Sequence, residues 1–183
     1  MQGCNLRCPW CHNPETISLK PVLLYYENLC TGCKACVKAC PTGAHTFLQK
    51  HEFNPALCAL NGKCANNCPS GALRLSGKEM TVEEVMSFIL EDEAFYEASG
   101  GGVTFSGGEP LLQPDFVAAA AKECKAHDIH VIVDTAGNVS FSAFEKVQPF
   151  VGTFFIDVKA ANEDTYKSIT GGSLDLVLRN MKA

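Results

Sequence analysis

Three cysteines near the start of the chain have the spacing of a metal-binding loop. Cys4, Cys8 and Cys11 follow the pattern C-x3-C-x2-C. Three thiolates in one tight loop can reach three irons of an iron–sulfur cluster. A cubane cluster has four irons, so one iron keeps an open position that a substrate can bind. A zinc site with the adjacent His12 as fourth ligand is the alternative that this spacing leaves open.

Two further cysteine runs have spacing typical of bacterial ferredoxins. The first is C-x2-C-x2-C-x3-C-P, and the second keeps every spacing but has asparagine at one cysteine position. The runs comprise Cys30, Cys33, Cys36 and Cys40, and then Cys58, Asn61, Cys64 and Cys68. In ferredoxins the fourth cysteine of a run ligates the other cluster. Zinc is the less favoured alternative for two repeated runs with trailing prolines.

Because the fourth cysteine of each run is assigned to the cluster of the other run, the predicted ligands fall into two sets. The set predicted to complete one [4Fe–4S] cluster is Cys30, Cys33, Cys36 and Cys68. The other set has three thiolates, from Cys40, Cys58 and Cys64, because the amide of Asn61 is a poor donor for iron. We therefore predict there either a [4Fe–4S] cluster with a labile iron or a [3Fe–4S] cluster.

The cysteine distribution and the charge exclude several classes of protein. The chain has 183 residues, 11 cysteines and a net charge of −5. An odd cysteine count without a preceding secretory signal disfavours a disulfide scaffold. No run of Lys or Arg suits nucleic acid, and no apolar stretch has the length of a membrane span. We expect a cytoplasmic monomer that binds neither nucleic acid nor membrane.

Composition divides the chain into three zones, which we predict to be domains. Residues 1–20 hold the cysteine triplet, residues 21–77 hold the two runs, and residues 78–183 alternate helices and strands. Thr81 and Glu84 predict a capping box for a helix that ends near residues 99–102. The alternation predicts an α/β fold with a parallel sheet. The predicted strands are 103–105, 130–133 and 154–156, and the other predicted helices are 116–126, 141–147, 163–169 and 174–181.

Polar or glycine-rich residues follow each predicted strand of the third zone. The carboxyl ends of parallel strands meet at one edge, so we expect these residues to converge on one rim. Asp157 and Lys159 are two residues apart and share one face of their strand. The other two clusters are Ser106-Gly107-Gly108-Glu109-Pro110 and Asp134-Thr135-Ala136-Gly137-Asn138.

The run from Cys4 to Glu15 resembles the signature of radical S-adenosylmethionine (SAM) enzymes, and in its extended form that of glycyl radical enzyme activating enzymes. The resemblance continues in the Gly-Gly-Glu-Pro, Asp-Thr-x-Gly and Asp-x-Lys motifs that end the three strands. It implies that an aromatic ring lies against adenine, and that the strand ends meet the methionine amino group, the ribose and the carboxylate. The cofactor-binding residues so implied are Trp10, His12, Gly107, Gly108, Glu109, Asp134, Asp157, Val158 and Lys159.

The same resemblance implies a partial (β/α)6 radical SAM barrel with an inserted ferredoxin-like α+β domain that carries two clusters. We expect the barrel to lack strands at both ends and the chain as it stands to fall short of full activity. The implied reaction is reductive cleavage of SAM at the Cys4, Cys8 and Cys11 cluster to a 5′-deoxyadenosyl radical. That radical abstracts hydrogen from a glycine of a partner enzyme, with a flavodoxin or ferredoxin as reductant.

Two other functions are open at the level of sequence. One is a radical SAM enzyme that acts on a small molecule. The other is a ferredoxin-like electron carrier, against which the strand-end motifs argue because a carrier does not need them. Cys124 lies within a predicted helix and is expected to be a buried small hydrophobe.

Overall fold

The computed structural model describes residues 1–183 and divides them into two compact units. Unit 1 consists of Met1–Leu19 and Glu79–Ala183, and unit 2 consists of Lys20–Lys78. None of the helices is both long and apolar enough to span a bilayer.

Unit 2 consists of two copies of a strand–helix–strand arrangement. Its elements are β1 (Val22–Tyr25), α1 (Ala35–Ala39), β2 (His45–Phe47), β3 (His51–Phe53), α2 (Lys63–Asn66) and β4 (Leu73–Ser76). Strand β1 pairs with β4 and strand β2 with β3, both antiparallel. The second copy follows the first at an interval of 28 residues, which is also the interval between the cysteine runs.

The repeat extends to the backbone angles of the cysteine runs. Gly32 and its counterpart Leu60 have φ of 69° and 51°, and Lys34 and its counterpart Gly62 have φ of 61° and 69°. Each run therefore places two residues in the left-handed region directly before its helix. Lys34 and Leu60 adopt this conformation at a steric cost that glycine does not have. Both runs follow one backbone path despite different residues.

Unit 1 contains a parallel three-stranded sheet with helices between its strands. The elements are α3 (Val82–Ile89), α4 (Glu93–Ser99), β5 (Gly102–Phe105), α5 (Pro114–Ala126), β6 (His130–Thr135), α6 (Phe141–Val147), β7 (Thr153–Ile156), α7 (Glu163–Thr170) and α8 (Leu174–Lys182). The strand order is β5-β6-β7 and both pairings are parallel. The predicted α/β class is confirmed, and the sheet is open rather than a closed barrel.

The helix predicted after Thr81 begins as expected but does not run unbroken to residue 99. The Thr81 hydroxyl accepts from the Glu84 amide at 3.2 Å, and the Glu84 carboxylate accepts from the Thr81 amide at 2.9 Å, so the capping box is confirmed. A 3-10 turn at Leu90–Asp92 then separates α3 from α4. Aspartate favours helix starts over helix interiors, and Asp92 is the residue before α4.

Apolar side chains from the sheet and from α5 and α6 form the core of unit 1. Val131 and Val133 of β6 share this core with Val117 of α5 and Phe144 of α6. Cys124 is fully buried and its sulfur lies 3.7 Å from that of Met86, so its predicted role as a small core residue is confirmed. This packing fixes the strands whose carboxyl ends carry the polar motifs.

Candidate active site

The loop that carries Cys4, Cys8 and Cys11 is held by its backbone and by one buried side chain. The Cys4 amide donates to the Ile17 carbonyl at 3.0 Å, and the Arg7 amide donates to the Thr170 carbonyl at 2.8 Å. The Arg7 guanidinium donates back to the Cys4 carbonyl at 2.8 Å. Leu6 is 2% exposed and anchors the loop in unit 1. The three sulfurs are therefore presented by a fixed turn.

The cysteine loop and the three strand ends line one cleft of about 290 Å³. This size is at the lower end of the range of about 300–1,000 Å³ for ligand pockets. The predicted site residues in the lining are Cys4, Cys8, Trp10, Cys11, His12, Gly107, Gly108, Asp134, Asp157 and Lys159. The structure thus brings together residues that are as far as 155 positions apart in the chain.

Glycine is required at Gly107 and Gly108 because the first residues of the chain pass very close to them. A Cβ atom on Gly108 would lie 2.2 Å from the carbonyl oxygen of Gly3, and Gly107 has φ of +117°. The Gly108 amide donates to the Met1 carbonyl at 2.9 Å. Both glycines line the cleft, and close packing of backbone against backbone explains their residue type.

Glu109 lies beneath the cleft and does not line it. Its side chain is fully buried. Its carboxylate accepts from the Thr135 hydroxyl at 2.6 Å, the Ala136 amide at 2.9 Å and the Leu111 amide at 3.0 Å. Burial raises the pKa of Glu109, although these hydrogen bonds act in the opposite direction. The contact of Glu109 with a cofactor stays a prediction, and in the structure its carboxylate joins the ends of β5 and β6.

The wall formed by β6 and β7 carries both signs of charge. Asp157 and Lys159 form an ion pair. Burial disfavours the ammonium of Lys159, but the hydrogen bond and the charge of Asp157 outweigh burial and raise the pKa of Lys159. Val158 is not part of the cleft lining, and its contact with a cofactor stays a prediction.

Sequence reasoning placed Ser106 in a strand-end cluster without a role, and it missed Tyr166. Ser106 lines the cleft and donates to Asp134 at 2.9 Å. Tyr166 is fully buried and its hydroxyl has no partner. Burial, followed by the charges of Cys8 and Asp157, raises the pKa of Tyr166 to about 12. No spacing signal marks Tyr166, because its surroundings are set by the fold.

The donor set of the loop fits an iron–sulfur cluster. Thiolates are the soft ligands that such clusters use. Burial raises the pKa of Cys4 and of Cys8, so binding of a metal there must release thiol protons. The Tyr166 hydroxyl is buried without a hydrogen-bond partner, and Cys8 and Cys4 are among the groups whose charge raises its pKa.

In unit 2 the cysteines fall into two groups. One cavity is lined by Cys30, Cys33, Cys36 and Cys68 together with apolar residues such as Leu73. These four cysteines are the set that the crossing of the two runs predicts.

The second group contains Cys64, Cys58 and Cys40. Burial raises the pKa of Cys64, and the charges of Cys58 and Cys40 raise it further. The amide oxygen of Asn61 accepts from the Lys63 amide at 3.1 Å, where it starts α2. That oxygen is engaged by the backbone, in agreement with the view that asparagine is not a ligand here.

Comparison with known families assigns the chain to one of them. The radical SAM superfamily matches residues 1–183. The chain belongs to the radical SAM superfamily. Within the superfamily it is 40% identical over 184 residues to the choline trimethylamine-lyase activating enzyme of Oleidesulfovibrio alaskensis, an alignment that covers 98% of this chain and 59% of the relative.

Two further relatives of the chain are also named activating enzymes, each of a different enzyme. The trans-4-hydroxy-L-proline dehydratase activating enzyme of Clostridioides difficile is 38% identical, with 99% of this chain and 61% of the relative covered. The benzylsuccinate synthase activating enzyme of Thauera aromatica is 35% identical, with 100% and 57% covered. The chain thus spans about three fifths of the length of the curated relatives that it matches.

Proposed function

We propose that the chain is the SAM-binding part of a glycyl radical enzyme activating enzyme. The observation that carries the proposal is the single cleft shared by the Cys4, Cys8 and Cys11 loop and three polar strand ends. An electron carrier needs the cysteines but not a cleft with carboxylates and an ammonium beside them. The relatives named above activate three different enzymes, so what they share is the activation step.

The charges in the cleft complement those of SAM, which has a carboxylate, an ammonium group and a sulfonium. Lys159 is the cation available for the carboxylate, and Asp134 and Asp157 are the anions available for the ammonium and the ribose hydroxyls. Ser106 orients Asp134 by its hydrogen bond. When bound, the reduced cluster and SAM supply the one-electron chemistry that removes hydrogen from a glycine of the partner enzyme.

Trp10 has an apolar ring at the edge of the cleft. Its side chain is 49% exposed and has no packing role in the core. An exposed indole can cover a flat ring such as adenine by stacking. We assign it this role, with His12 beside it, so that a bound nucleoside is shielded from water on one face.

Unit 2 supports a second part of the proposal, a ferredoxin-like domain with two clusters inserted in the radical SAM domain. The boundaries proposed are 1–20 and 78–183 for the radical SAM domain and 21–77 for the insertion. The first cluster is a [4Fe–4S] cluster on Cys30, Cys33, Cys36 and Cys68, and the second is a [4Fe–4S] or [3Fe–4S] cluster on Cys40, Cys58 and Cys64. The support is the grouping of these sulfurs and the 28-residue repeat of the backbone.

The backbone near these sulfurs also suits clusters. The Ala44 amide donates to the Cys40 sulfur at 3.3 Å, and the Leu60 amide donates to the Cys58 sulfur at 3.4 Å. Hydrogen bonds to sulfur are a main determinant of cluster potential. We propose electron relay as the role of this domain, with a flavodoxin or ferredoxin as external reductant and a cytoplasmic monomer as the working form.

The test is electron paramagnetic resonance (EPR) of the chain reconstituted with iron and sulfide without oxygen and reduced with dithionite. We expect the addition of SAM to change one cluster signal, and substitution of Cys8 by alanine to remove the change. Cluster signals that are indifferent to SAM would leave electron transfer as the function. Co-purification with a large enzyme that gains a glycyl radical separates activation from chemistry on a small molecule.

A further inference from the structure

Two histidines in unit 2 form a buried pair. His45 of β2 and His51 of β3 are 2% and 7% exposed, and His45 Nδ1 lies 2.9 Å from His51 Nε2. The hairpin brings them together diagonally, because His45 pairs with Phe53 and His51 pairs with Phe47. Their spacing along the chain fits no ligand pattern, so nothing in the sequence connects them.

The number of N–H groups on the two rings shows that one of them has no hydrogen-bond acceptor. An imidazole ring carries at least one N–H in either protonation state. One N–H is used between the rings. The ring that accepts it must carry its own proton on the far nitrogen, which is either His45 Nε2 or His51 Nδ1. Both of these atoms are buried without a hydrogen bond. A buried N–H without an acceptor is unfavourable, so the pair points to an acceptor nearby.

Candidate acceptors lie at the first cysteine group. The Cys36 sulfur and one nitrogen of each histidine lie within 4.8 Å of one another. His51 also lines the cavity that Cys30, Cys33, Cys36 and Cys68 enclose. A cluster in this cavity would bring cysteine sulfurs and sulfides to the wall that contains the His51 imidazole, and His45 contacts that imidazole from behind.

The 28-residue repeat of unit 2 shows which residues stand at the same two positions in the other copy. The counterparts of His51 and His45 at the 28-residue interval are Leu23 and Leu73. These leucines are 8% and 3% exposed and pack with Cys64, the counterpart of Cys36. Each of the two positions therefore holds histidine in one copy of the repeat and leucine in the other, and Leu73 itself lines the cavity of the first cysteine group. The backbone does not demand histidine, so its presence calls for a role at the cavity.

We propose that the His45–His51 pair donates a hydrogen bond to a sulfur of the cluster held by Cys30, Cys33, Cys36 and Cys68, and so raises the reduction potential of that cluster. The inference rests on the clusters of the proposed function. Reduction adds negative charge to the sulfurs, and an N–H donor stabilises the charged form. The histidines are positioning residues that act on the potential and not ligands.

The experiment is a redox titration of the full chain, followed by EPR, with Cys4, Cys8 and Cys11 replaced by alanine so that only unit 2 contributes. We expect His45→Phe and His51→Phe each to lower one midpoint potential by about 59 mV, the equivalent of a tenfold change for one electron. The second cluster is the internal reference and keeps its midpoint. His51→Gln retains an N–H group, so we expect its midpoint potential to stay close to that of the chain with both histidines.

The matched control is Thr46→Val, which changes an exposed residue on the opposite face of the same hairpin and leaves both midpoints unchanged. Clusters with unchanged midpoints in both phenylalanine variants would overturn the role of the pair alone. A chain that assembles no cluster in unit 2, or that binds zinc in this cavity, would overturn both the pair and the proposed clusters.

A second measurement needs no change to the histidines and covers variants that fail to fold. Pulsed hyperfine spectroscopy of the reduced chain with 15N-labelled histidine, again with alanine at positions 4, 8 and 11, is expected to show a nitrogen coupled to one cluster. Absence of that coupling in a chain with both clusters assembled contradicts the hydrogen bond.

Discussion

The cysteine loop of unit 1 and the first cysteine group of unit 2 use the same ligand atom in opposite surroundings. Cys4, Cys8 and Cys11 open onto a cleft with carboxylates and an ammonium group. The group that contains Cys36 has four cysteines and walls that include Phe47 and Leu73. Three ligands beside polar groups suit a site where a substrate binds iron. Four cysteines in a cavity whose lining has no carboxylate suit a site that only transfers an electron.

The strongest test of this contrast is removal of a ligand from each site. Cys8→Ala should reduce SAM cleavage to background, because the loop loses one of only three thiolates, and should lower iron content by about four per chain. Cys124→Ala is the matched control, since Cys124 is a buried cysteine outside both sites. Iron analysis and the release of methionine check both variants. SAM cleavage that survives Cys8→Ala contradicts the assignment of the open site.

The charge of the cleft is tested by Lys159→Met. This variant should weaken SAM binding by about tenfold to a hundredfold, the range for loss of one hydrogen bond to a charged group. Calorimetry on the reconstituted chain measures the dissociation constant. Lys167→Met removes an exposed lysine of α7 outside the cleft and should bind SAM as before. Equal affinity of the two variants would mean that Lys159 does not face the carboxylate.

The positioning role of Glu109 is tested by Glu109→Gln. The glutamine side chain has an NH2 group in place of one carboxylate oxygen. This group would face a backbone N–H or the Thr135 hydroxyl, both of which donate to Glu109 in the native structure. We therefore expect the free energy of unfolding to fall by about 1–3 kcal/mol. Because burial raises the pKa of Glu109, the native state keeps its proton where the unfolded chain has lost it. This residue therefore makes stability fall as pH rises from its ordinary pKa to the raised one, and the variant should lack that slope. Urea unfolding at several pH values measures both effects.

The smallest effect is expected from Asn61→Cys, which makes the second cysteine group of unit 2 resemble the first. A fourth thiolate should stabilise a [4Fe–4S] cluster and raise iron content by about one per chain. The change also removes the hydrogen bond that the Lys63 amide donates to the Asn61 side chain. Iron analysis and EPR of the oxidised chain follow the conversion. An unchanged signal would show that position 61 does not face the cluster.

The sequence predicts best those features that depend on local spacing. The cysteine groups follow from intervals along the chain, and the convergence of Asp134 and Asp157 follows from the geometry of parallel strands. Burial of Glu109 could not be predicted, because its three donors come from both its own turn and β6. The burial of Tyr166 and the contact between His45 and His51 could not be predicted for the same reason. Their neighbours are set by tertiary packing, which leaves no periodic signal in the sequence.

Cys68 lines the same cavity as cysteines that precede it by more than 30 residues, and this has a consequence for synthesis on the ribosome. Cys30, Cys33 and Cys36 leave the exit tunnel first. At about 5–20 residues per second, Cys68 follows after a delay on the order of seconds. During that interval three thiols lack their fourth partner and can be oxidised or can take up a wrong metal. For the cluster proposed at this group, delivery of iron and sulfide would therefore have to wait until the second run has emerged.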